Sequence, residues 1–182
     1  MLDLENTLLV IVDVQGNLAH SMYRKEVLFK NIRELIKGMQ ALEMPIILTE
    51  QNPTGLGPTI PELAELLPDI QPIAKMSFSC CRNEDFMHAL KVHNRNRILI
   101  AGIEAHICVY QTAVQLTSMG YEVEVVADAV GSRIQANRDI GLQKMRDSGI
   151  GVTCIETAFF ELIETAEDKR FKKILRIVKE FM

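Results

Sequence analysis

The sequence has no tryptophan, few cysteines and no long apolar run, and each shortage narrows the class of protein. Its longest apolar runs are far shorter than the roughly 20 residues that a bilayer-spanning helix needs, so we expect no membrane segment. Its four cysteines are too few and too irregularly spaced for a disulfide scaffold, and no cysteine–histidine set has zinc-site spacing. We therefore expect free thiols in a reducing cytoplasm.

Basic residues are not in excess either. The net charge is −4 and the isoelectric point is about 5.6, which argues against nucleic acid or an acidic membrane surface as a partner. The opening residues, MLDLENT, lack the basic and apolar regions of a signal peptide, in keeping with a cytoplasmic location. A chain of 182 residues is most simply one globular domain, residues 1–182.

What the chain does contain is a repeated alternation of short apolar strands and amphipathic helices. The first run, TLLVIV, has no polar alternation, which is typical of a strand covered on both faces. This pattern predicts a three-layer α/β/α fold of Rossmann-like type, with a six-stranded parallel sheet and helices on both faces. The predicted strands are Thr7–Val12, Pro45–Thr49, Gln71–Lys75, Ile98–Ala101, Tyr121–Ala127 and Ile150–Ile155. The predicted helices are Lys25–Leu42, Glu62–Leu67, Glu84–Val92, His106–Met119, Gln135–Ser148, Thr157–Ile163 and Asp168–Phe181.

Three chemically useful residues, Asp13, Lys75 and Cys108, follow three different predicted strands, where parallel sheets place their sites. Cys108 is the candidate nucleophile, and we expect a helix N-terminus and a nearby cation to lower its thiol pKa from about 8.5. Asp13 is placed to take the thiol proton and return it to a leaving amine, with Lys75 as its charge partner. Backbone N–H groups before Cys108 can stabilise an oxyanion, and a thioester followed by a free acid would result.

Each of these residues taken alone has a structural interpretation. An aspartate after a strand is commonly a turn residue, and a single cysteine at a helix start is more often an inert core residue. The alternative hypothesis is therefore a catalytically silent binding or scaffold protein. A third hypothesis is thiol redox sensing, in which Cys108 pairs with Cys80 or Cys81.

Other polar and aromatic residues near the predicted strand ends are candidates for lining a pocket. Gln15, Gln51 and Phe78 are possible substrate-binding residues, whereas Glu104 is interpreted as bonding within its own loop. We interpret Asp128 and Arg133 as an ion pair that braces a loop. His106 resembles a triad histidine, but Asp13 and Lys75 make that role unnecessary.

Three segments, taken together, resemble the isochorismatase-like cysteine hydrolases, in particular their YcaC-like branch and the isochorismatase-domain-containing proteins. The segments are Ile11–Gln15, Lys75 with the following Phe78-Ser79, and Gly102–Val109. The resemblance implies an Asp13–Lys75–Cys108 triad and a homo-oligomer, a dimer or larger. It also implies a non-proline cis peptide at Glu104–Ala105, which would turn the N–H of Ala105 toward the oxyanion beside that of Cys108.

The chain also departs from relatives of known chemistry. Nicotinamidases of this superfamily carry an Asp-x-His metal motif where this chain reads Thr49-Glu50-Gln51-Asn52, so we expect no metal and no cofactor. Enzymes that cleave isochorismate lack the nucleophilic cysteine, so Cys108 argues against that activity. The expected function is a metal-free cysteine hydrolase that cleaves a C–N bond of a small amide or carbamoyl compound.

Overall fold

A computed structural model describes residues 1–181 and contains a six-stranded parallel sheet. The strands are β1 (Thr7–Val12), β2 (Ile46–Gln51), β3 (Ile73–Lys75), β4 (Arg97–Ile103), β5 (Glu122–Gly131) and β6 (Gly151–Thr153). They lie in the order β3-β2-β1-β4-β5-β6, so the order reverses between β1 and β4. In sheets of this kind a crevice opens at that reversal, on the side where the strands end.

Helices alternate with the strands, as the sequence pattern predicts. The helices are α1 (Gly16–His20), α2 (Lys25–Ala41), α3 (Pro53–Leu56), α4 (Pro61–Ala64), α5 (Glu84–His93), α6 (Tyr110–Ser118), α7 (Gln135–Asp147), α8 (Ile155–Ile163) and α9 (Phe171–Phe181). A 3₁₀ turn covers Cys80–Arg82, and a π-helical turn covers Ala105–Val109 directly before α6. Nowhere in residues 1–181 is a helix both long and apolar enough to cross a membrane.

The core is divided into two layers by the sheet. Every residue of β1 is buried: Leu9 and Ile11 join a cluster with side chains of α2, α8 and α9, and Leu8 and Val10 join a second cluster with side chains of α5, α6 and α7. Burial on both faces explains why β1 has no polar alternation. The predicted three-layer α/β/α fold is confirmed.

The differences from the predicted elements lie mainly at the sheet end beyond β4. Pairing between β4 and β5 stops at Ile100–Val125 and resumes at Gly102–Val130, so β5 carries extra residues and runs further than predicted. One of those extra residues, Asp128, accepts a hydrogen bond from the N–H of Ile155 (3.1 Å). The predicted ion pair between Asp128 and Arg133 is therefore wrong, because the bulge turns Asp128 toward the start of α8. Two short helices, α1 and α3, were not predicted.

A glycine lets β4 approach β1 closely where both strands end. Gly102 has φ = +119°, and a Cβ atom there would lie 2.1 Å from the carbonyl oxygen of Val12. A larger residue would push the strands apart or force its backbone out of this conformation. Gly102 thus brings the segment after β4 next to Asp13, the residue that follows Val12.

Candidate active site

A buried aspartate lies at the centre of the carboxyl edge of the sheet. Asp13 follows β1 with φ = +54°, a left-handed conformation that aspartate tolerates better than most residues, and its N–H donates to the carbonyl of Thr49 (3.2 Å). Its side chain is 1% exposed. Oδ2 accepts from Nζ of Lys75 (2.5 Å), and Oδ1 accepts from the hydroxyl of Thr49 (2.8 Å). Both carboxylate oxygens are therefore hydrogen-bonded in a site with little water.

The lysine that pairs with Asp13 is completely buried as well. Lys75 is the last residue of β3, and β-sheet register places it beside Gln51, whose Oε1 is 3.1 Å from Nζ. Nζ also lies 3.2 Å from the carbonyl oxygens of Ser77 and Phe78. A buried ammonium is tolerated when its charge is paired and its N–H groups are hydrogen-bonded, and Lys75 meets both conditions.

The candidate nucleophile lies in the π-helical turn between β4 and α6. The thiol of Cys108 lies close enough to Asp13 for the carboxylate to influence its pKa, and its side chain is nearly buried. Burial and the charge of Asp13 outweigh the opposite effect of Lys75 and raise the pKa of Cys108 to about 12. This is the reverse of the lowered pKa expected from the sequence, because the charge of Lys75 is already balanced by Asp13 and the thiol is shielded from water.

The loop before Cys108 contains the non-proline cis peptide that the resemblance implies, but at a different bond. It joins Ile103 to Glu104, whereas the prediction placed it at Glu104–Ala105. The prediction was wrong by one residue because neither bond precedes a proline and the motif alone does not distinguish neighbouring bonds. The carbonyl of Glu104 accepts from the N–H groups of Ile107 (3.0 Å) and Val109 (3.3 Å), which ties this loop to the π-helical turn.

The side chain of Glu104 points away from Asp13 and bonds to the loop after β5. Its Oε1 accepts from Nε of Arg133 (2.6 Å) and from the backbone N–H of that residue (3.3 Å). Nδ1 of His106 is 3.0 Å from the hydroxyl of Ser132 in the same loop. A Cβ atom on Gly141 of α7 would lie 2.8 Å from Cα of His106, so α7 packs directly on this segment. Together these contacts hold the segment that carries Cys108. Glu104 has a structural role, but its side chain bonds to the loop after β5 and not within its own loop as predicted.

The three predicted substrate-binding residues occupy very different environments. Gln15 is fully buried and its amide bonds only to backbone atoms, donating to the carbonyls of Gln51 (3.2 Å) and Gly57 (2.7 Å) and accepting from the N–H of Gln51 (2.6 Å). Gln51 contacts Lys75, and its Nε2 donates to the carbonyl of Met76 (2.8 Å). The ring of Phe78 is 55% exposed. Gln15 therefore braces the loops, whereas Gln51 and Phe78 remain at the edge of the site.

Two residues of the site were missed in the sequence. Thr49 donates to Asp13, and its hydroxyl oxygen is 3.7 Å from Sγ of Cys80. Cys80 is buried, and burial raises the pKa of its thiol to about 11, against the opposing effect of Lys75. The sequence held one signal for Thr49: it lies near the end of β2, and the strand paired with β2, β1, ends just before Asp13. All four cysteines of the chain lie within the described residues and are free thiols.

Among residues 1–181, no group of three or more histidine, cysteine, aspartate or glutamate side chains is arranged to hold a metal ion.

Comparisons with known proteins agree on one family. The family model described as the isochorismatase domain matches residues 7–157. Isochorismatase domain-containing protein 2 of Xenopus laevis is 34% identical over 96% of this chain and 84% of its own length.

Solved structures with the same fold cover nearly the whole chain. The MAR1 ribonuclease of Caenorhabditis elegans is 32% identical with a TM-score of 0.91, over 98% of this chain and 92% of its own. YcaC of Pseudomonas aeruginosa, solved with covalent acrylamide, is 26% identical with a TM-score of 0.91, over 99% and 93%. YcaC of Escherichia coli, described as an octameric hydrolase of unknown specificity, is 25% identical with a TM-score of 0.92, over 99% and 92%. From its fold, its sequence and the family model that it matches, this chain belongs to the isochorismatase family.

Proposed function

We propose that this protein is a cysteine hydrolase that cleaves a C–N bond of a small amide or carbamoyl compound. The observation that carries the proposal is the buried Asp13–Lys75 pair (2.5 Å), whose two charges both act on the thiol of Cys108. A nucleophile, a proton acceptor and a charge partner beside one another are the parts that acyl transfer through a thiol requires.

In the first half-reaction, Sγ of Cys108 attacks the carbonyl carbon of the substrate while its proton passes to Asp13. The raised pKa of Cys108 means that the resting thiol is neutral, so proton transfer accompanies the attack instead of preceding it. Asp13 then gives the proton to the leaving nitrogen, the C–N bond breaks, and ammonia or an amine departs. Lys75 remains protonated and balances Asp13 whenever the carboxylate is ionised.

In the second half-reaction, water attacks the Cys108 thioester, Asp13 takes a proton from that water, and the acid is released with return of the thiol. The N–H groups of Ala105 and Cys108 are our candidates for stabilising the oxyanion in both steps. The adjacent N–H groups of Ile107 and Val109 are already bonded to the Glu104 carbonyl, so they are less suited to this role.

Two features bear on the substrate. YcaC of Pseudomonas aeruginosa was solved with covalent acrylamide, which bonds to nucleophiles through its C=C bond and keeps its amide, so it supports a reactive nucleophile and not amide cleavage. In this chain, Gln51 offers an amide beside Lys75, and the exposed ring of Phe78 offers an apolar surface on the same segment. We assign these two residues to substrate contact, and Gln15 to support of the loops around them.

The second candidate function is a catalytically silent binding or scaffold protein. The observation that favours it is the thiol pKa itself, because a cysteine with a pKa of about 12 is almost entirely unreactive thiol at neutral pH. The buried Asp13–Lys75 pair beside Cys108 favours the enzyme instead, since a silent protein has no need of a buried proton acceptor at that position.

The name of the Caenorhabditis elegans relative refers to ribonuclease activity. We do not extend that activity to this chain, because RNA binding relies on cationic side chains and this chain carries a net charge of −4. In addition, the cation within the site, Lys75, is already paired with Asp13. A separate assay with a structured RNA tests this choice, and cleavage of that RNA would contradict it.

The test is a screen of primary amides and carbamoyl compounds for ammonia release, run on the wild type and on Cys108→Ala. The matched control is Cys154→Ala, which removes a free thiol that lies outside the site. We expect turnover by the wild type and by Cys154→Ala, and none above background by Cys108→Ala. Full activity in Cys108→Ala would end the proposal, and absence of turnover across the screen would favour the silent protein.

We further propose that the protein acts in a reducing cytoplasm and as a homo-oligomer. The free state of all four cysteines supports the first proposal, and the octamer described for YcaC of Escherichia coli supports the second. Light scattering after size exclusion would contradict self-association if the mass were that of the 20.5 kDa monomer.

A further inference from the structure

The carboxylate of Asp13 has a donor that the mechanism above does not use. A buried carboxylate needs a hydrogen-bond partner for each oxygen, because water cannot reach it. Lys75 serves Oδ2, and the hydroxyl of Thr49 serves Oδ1 at 2.8 Å. Thr49 is 0% exposed and its hydroxyl contacts Asp13 and Cys80, so the mechanism gives it no part in contact with substrate.

Thr49 contacts Asp13 through its backbone as well as its side chain. Its carbonyl accepts from the N–H of Asp13 (3.2 Å), and sheet register pairs it with Val12, the residue before Asp13. A threonine is stiff about χ1, since two heavy atoms are attached to its Cβ. Asp13 is therefore held at two points by one residue that is itself fixed in a central strand.

The direction of the side-chain hydrogen bond follows from the number of protons. A hydroxyl has one proton, and an ionised carboxylate can only accept, so Thr49 donates to Asp13. Its oxygen then accepts from the Cys80 thiol at 3.7 Å. The N–H of Cys80 in turn donates to the hydroxyl of Thr112 (3.0 Å). Thr112 lies four residues after Cys108, so the two residues are neighbours along the same helical segment. These contacts form a line from Asp13 through Thr49 and Cys80 to the helix that follows the nucleophile.

We propose that Thr49 is a positioning residue, whose hydroxyl fixes the orientation of the Asp13 carboxylate toward the Cys108 thiol; this rests on the proposed function. Without the hydroxyl, Oδ1 would lack a donor and the carboxylate could rotate about its bond to Cβ. Proton transfer between sulfur and oxygen needs both atoms in a narrow range of geometry, so a rotated carboxylate slows both half-reactions. Substrate binding is left intact because the mechanism gives Thr49 no part in contact with substrate.

The experiment compares Thr49→Val, which keeps shape and loses the hydroxyl, with Thr49→Ser, which keeps the hydroxyl. Thr59→Val is the matched control: Thr59 is also buried and donates to a carboxylate, Glu50 (2.7 Å), but that carboxylate does not contact the triad. For Thr49→Val we expect a fall in kcat of at least about tenfold with KM within about twofold. We expect Thr49→Ser and Thr59→Val to keep the wild-type kcat and KM.

A readout without turnover separates this proposal from the choice of substrate. The rate of alkylation of Cys108 by iodoacetamide at about pH 9 reports the thiolate population. With the carboxylate no longer held toward the thiol, its effect of raising the thiol pKa weakens, so that rate should rise several-fold in Thr49→Val and stay near the wild-type value in Thr49→Ser. This arm can be measured even if no amide substrate is found.

The proposal is overturned if folded Thr49→Val matches the wild type in kcat and alkylation rate. It is also overturned if Thr49→Ser shows the same defects as Thr49→Val, because the methyl group and not the hydroxyl would then matter. If Thr49→Val does not fold, Thr49→Ala takes its place in the same comparison.

Discussion

Two carboxylate–cation pairs lie at the same edge of the sheet and have almost the same length, yet their surroundings differ. Asp13 and Lys75 are 2.5 Å apart with side chains 1% and 0% exposed. Glu104 and Arg133 are 2.6 Å apart with side chains 4% and 58% exposed. We refer to them as the inner pair and the outer pair. The distance between the charges does not distinguish them, whereas access of water to the cation does.

This difference assigns the two pairs to different tasks. In the inner pair both ions have lost their hydration, so their stability depends on each other and on the donors and acceptors around them, such as Thr49 and Gln51. In the outer pair the guanidinium is largely hydrated, so the attraction is screened and its main effect is to hold the loop of Glu104. A proton acceptor for chemistry is expected only in the inner pair.

The largest effect should follow from removing one ion of the inner pair. In Lys75→Met, Asp13 is left buried without its counter-ion, and we expect a loss of about 3–5 kcal/mol in the free energy of unfolding together with loss of turnover. Urea denaturation monitored by circular dichroism measures the first effect, and the amide assay the second. Asp13→Asn should behave similarly, and a double-mutant cycle of the two should show strong coupling. If Lys75→Met lost no more free energy of unfolding than a variant that lacks the cation of the outer pair, the distinction between the two pairs would be wrong.

The thiol that faces the inner pair should make stability depend on alkaline pH. Burial and the Asp13 charge raise the pKa of Cys108 from 9.0 to about 12 in the folded protein. Above about pH 9 the unfolded chain releases this proton while the folded chain keeps it, so stability is full below about pH 9 and falls toward pH 12.

The size of this loss follows from the shift. At about 1.4 kcal/mol per unit it amounts to a few kcal/mol. Denaturation curves at a series of alkaline pH values should show that the free energy of unfolding falls less steeply with pH in Cys108→Ala than in the wild type. Identical slopes would mean that the thiol pKa of Cys108 is not raised in the folded protein.

Removal of the cation of the outer pair should have a small effect. In Arg133→Gln we expect a loss of less than about 1 kcal/mol, because the guanidinium is more than half exposed and the backbone N–H of residue 133 still bonds to Glu104. Thermal unfolding and the amide assay on the same preparation measure stability and turnover. A loss of turnover as complete as in Lys75→Met would mean that Arg133 takes part in the chemistry.

The smallest effect should be the response of the outer pair to salt. Screening acts over about 10 Å at 0.1 M salt and about 3 Å at 1 M, and it acts on exposed charges far more than on buried ones. The stability difference between wild type and Arg133→Gln should therefore shrink as sodium chloride rises, and the difference between wild type and Lys75→Met should not. Equal responses at the two pairs would contradict the burial of the inner pair.

Several features of the site follow from the sequence because they depend on local pattern. The apolar run of β1 ends at Val12, so Asp13 has to emerge at the strand end, and the observed strand has the predicted bounds. Lys75 ends β3 as predicted, although β3 begins later, at Ile73. Gly102 and the residues after it mark the approach of the Cys108 segment, but the motif alone does not say which peptide bond in it is cis.

Other features were out of reach because they depend on what surrounds a group. The partner of Arg133 could not be read from the sequence, since the bulge in β5 directs Asp128 to the N–H of Ile155 and leaves Glu104 for the arginine. The sequence also did not predict that Gln15 is buried with its amide bonded to the backbone carbonyls of Gln51 and Gly57. Each outcome is set by contacts between segments that are far apart in the chain.

The sequence by itself determined the order of strands and helices, the layers of the fold and the three strand ends at which Asp13, Lys75 and Cys108 lie, because periodicity and turn residues act locally. Only the tertiary structure decided that the thiol pKa of Cys108 is raised instead of lowered and that Thr49 is a donor to Asp13. It also decided that both side chains of the inner pair are buried while the cation of the outer pair is exposed to water. The physical reason is that desolvation and hydrogen bonding are properties of the assembled surroundings, which no single stretch of chain contains.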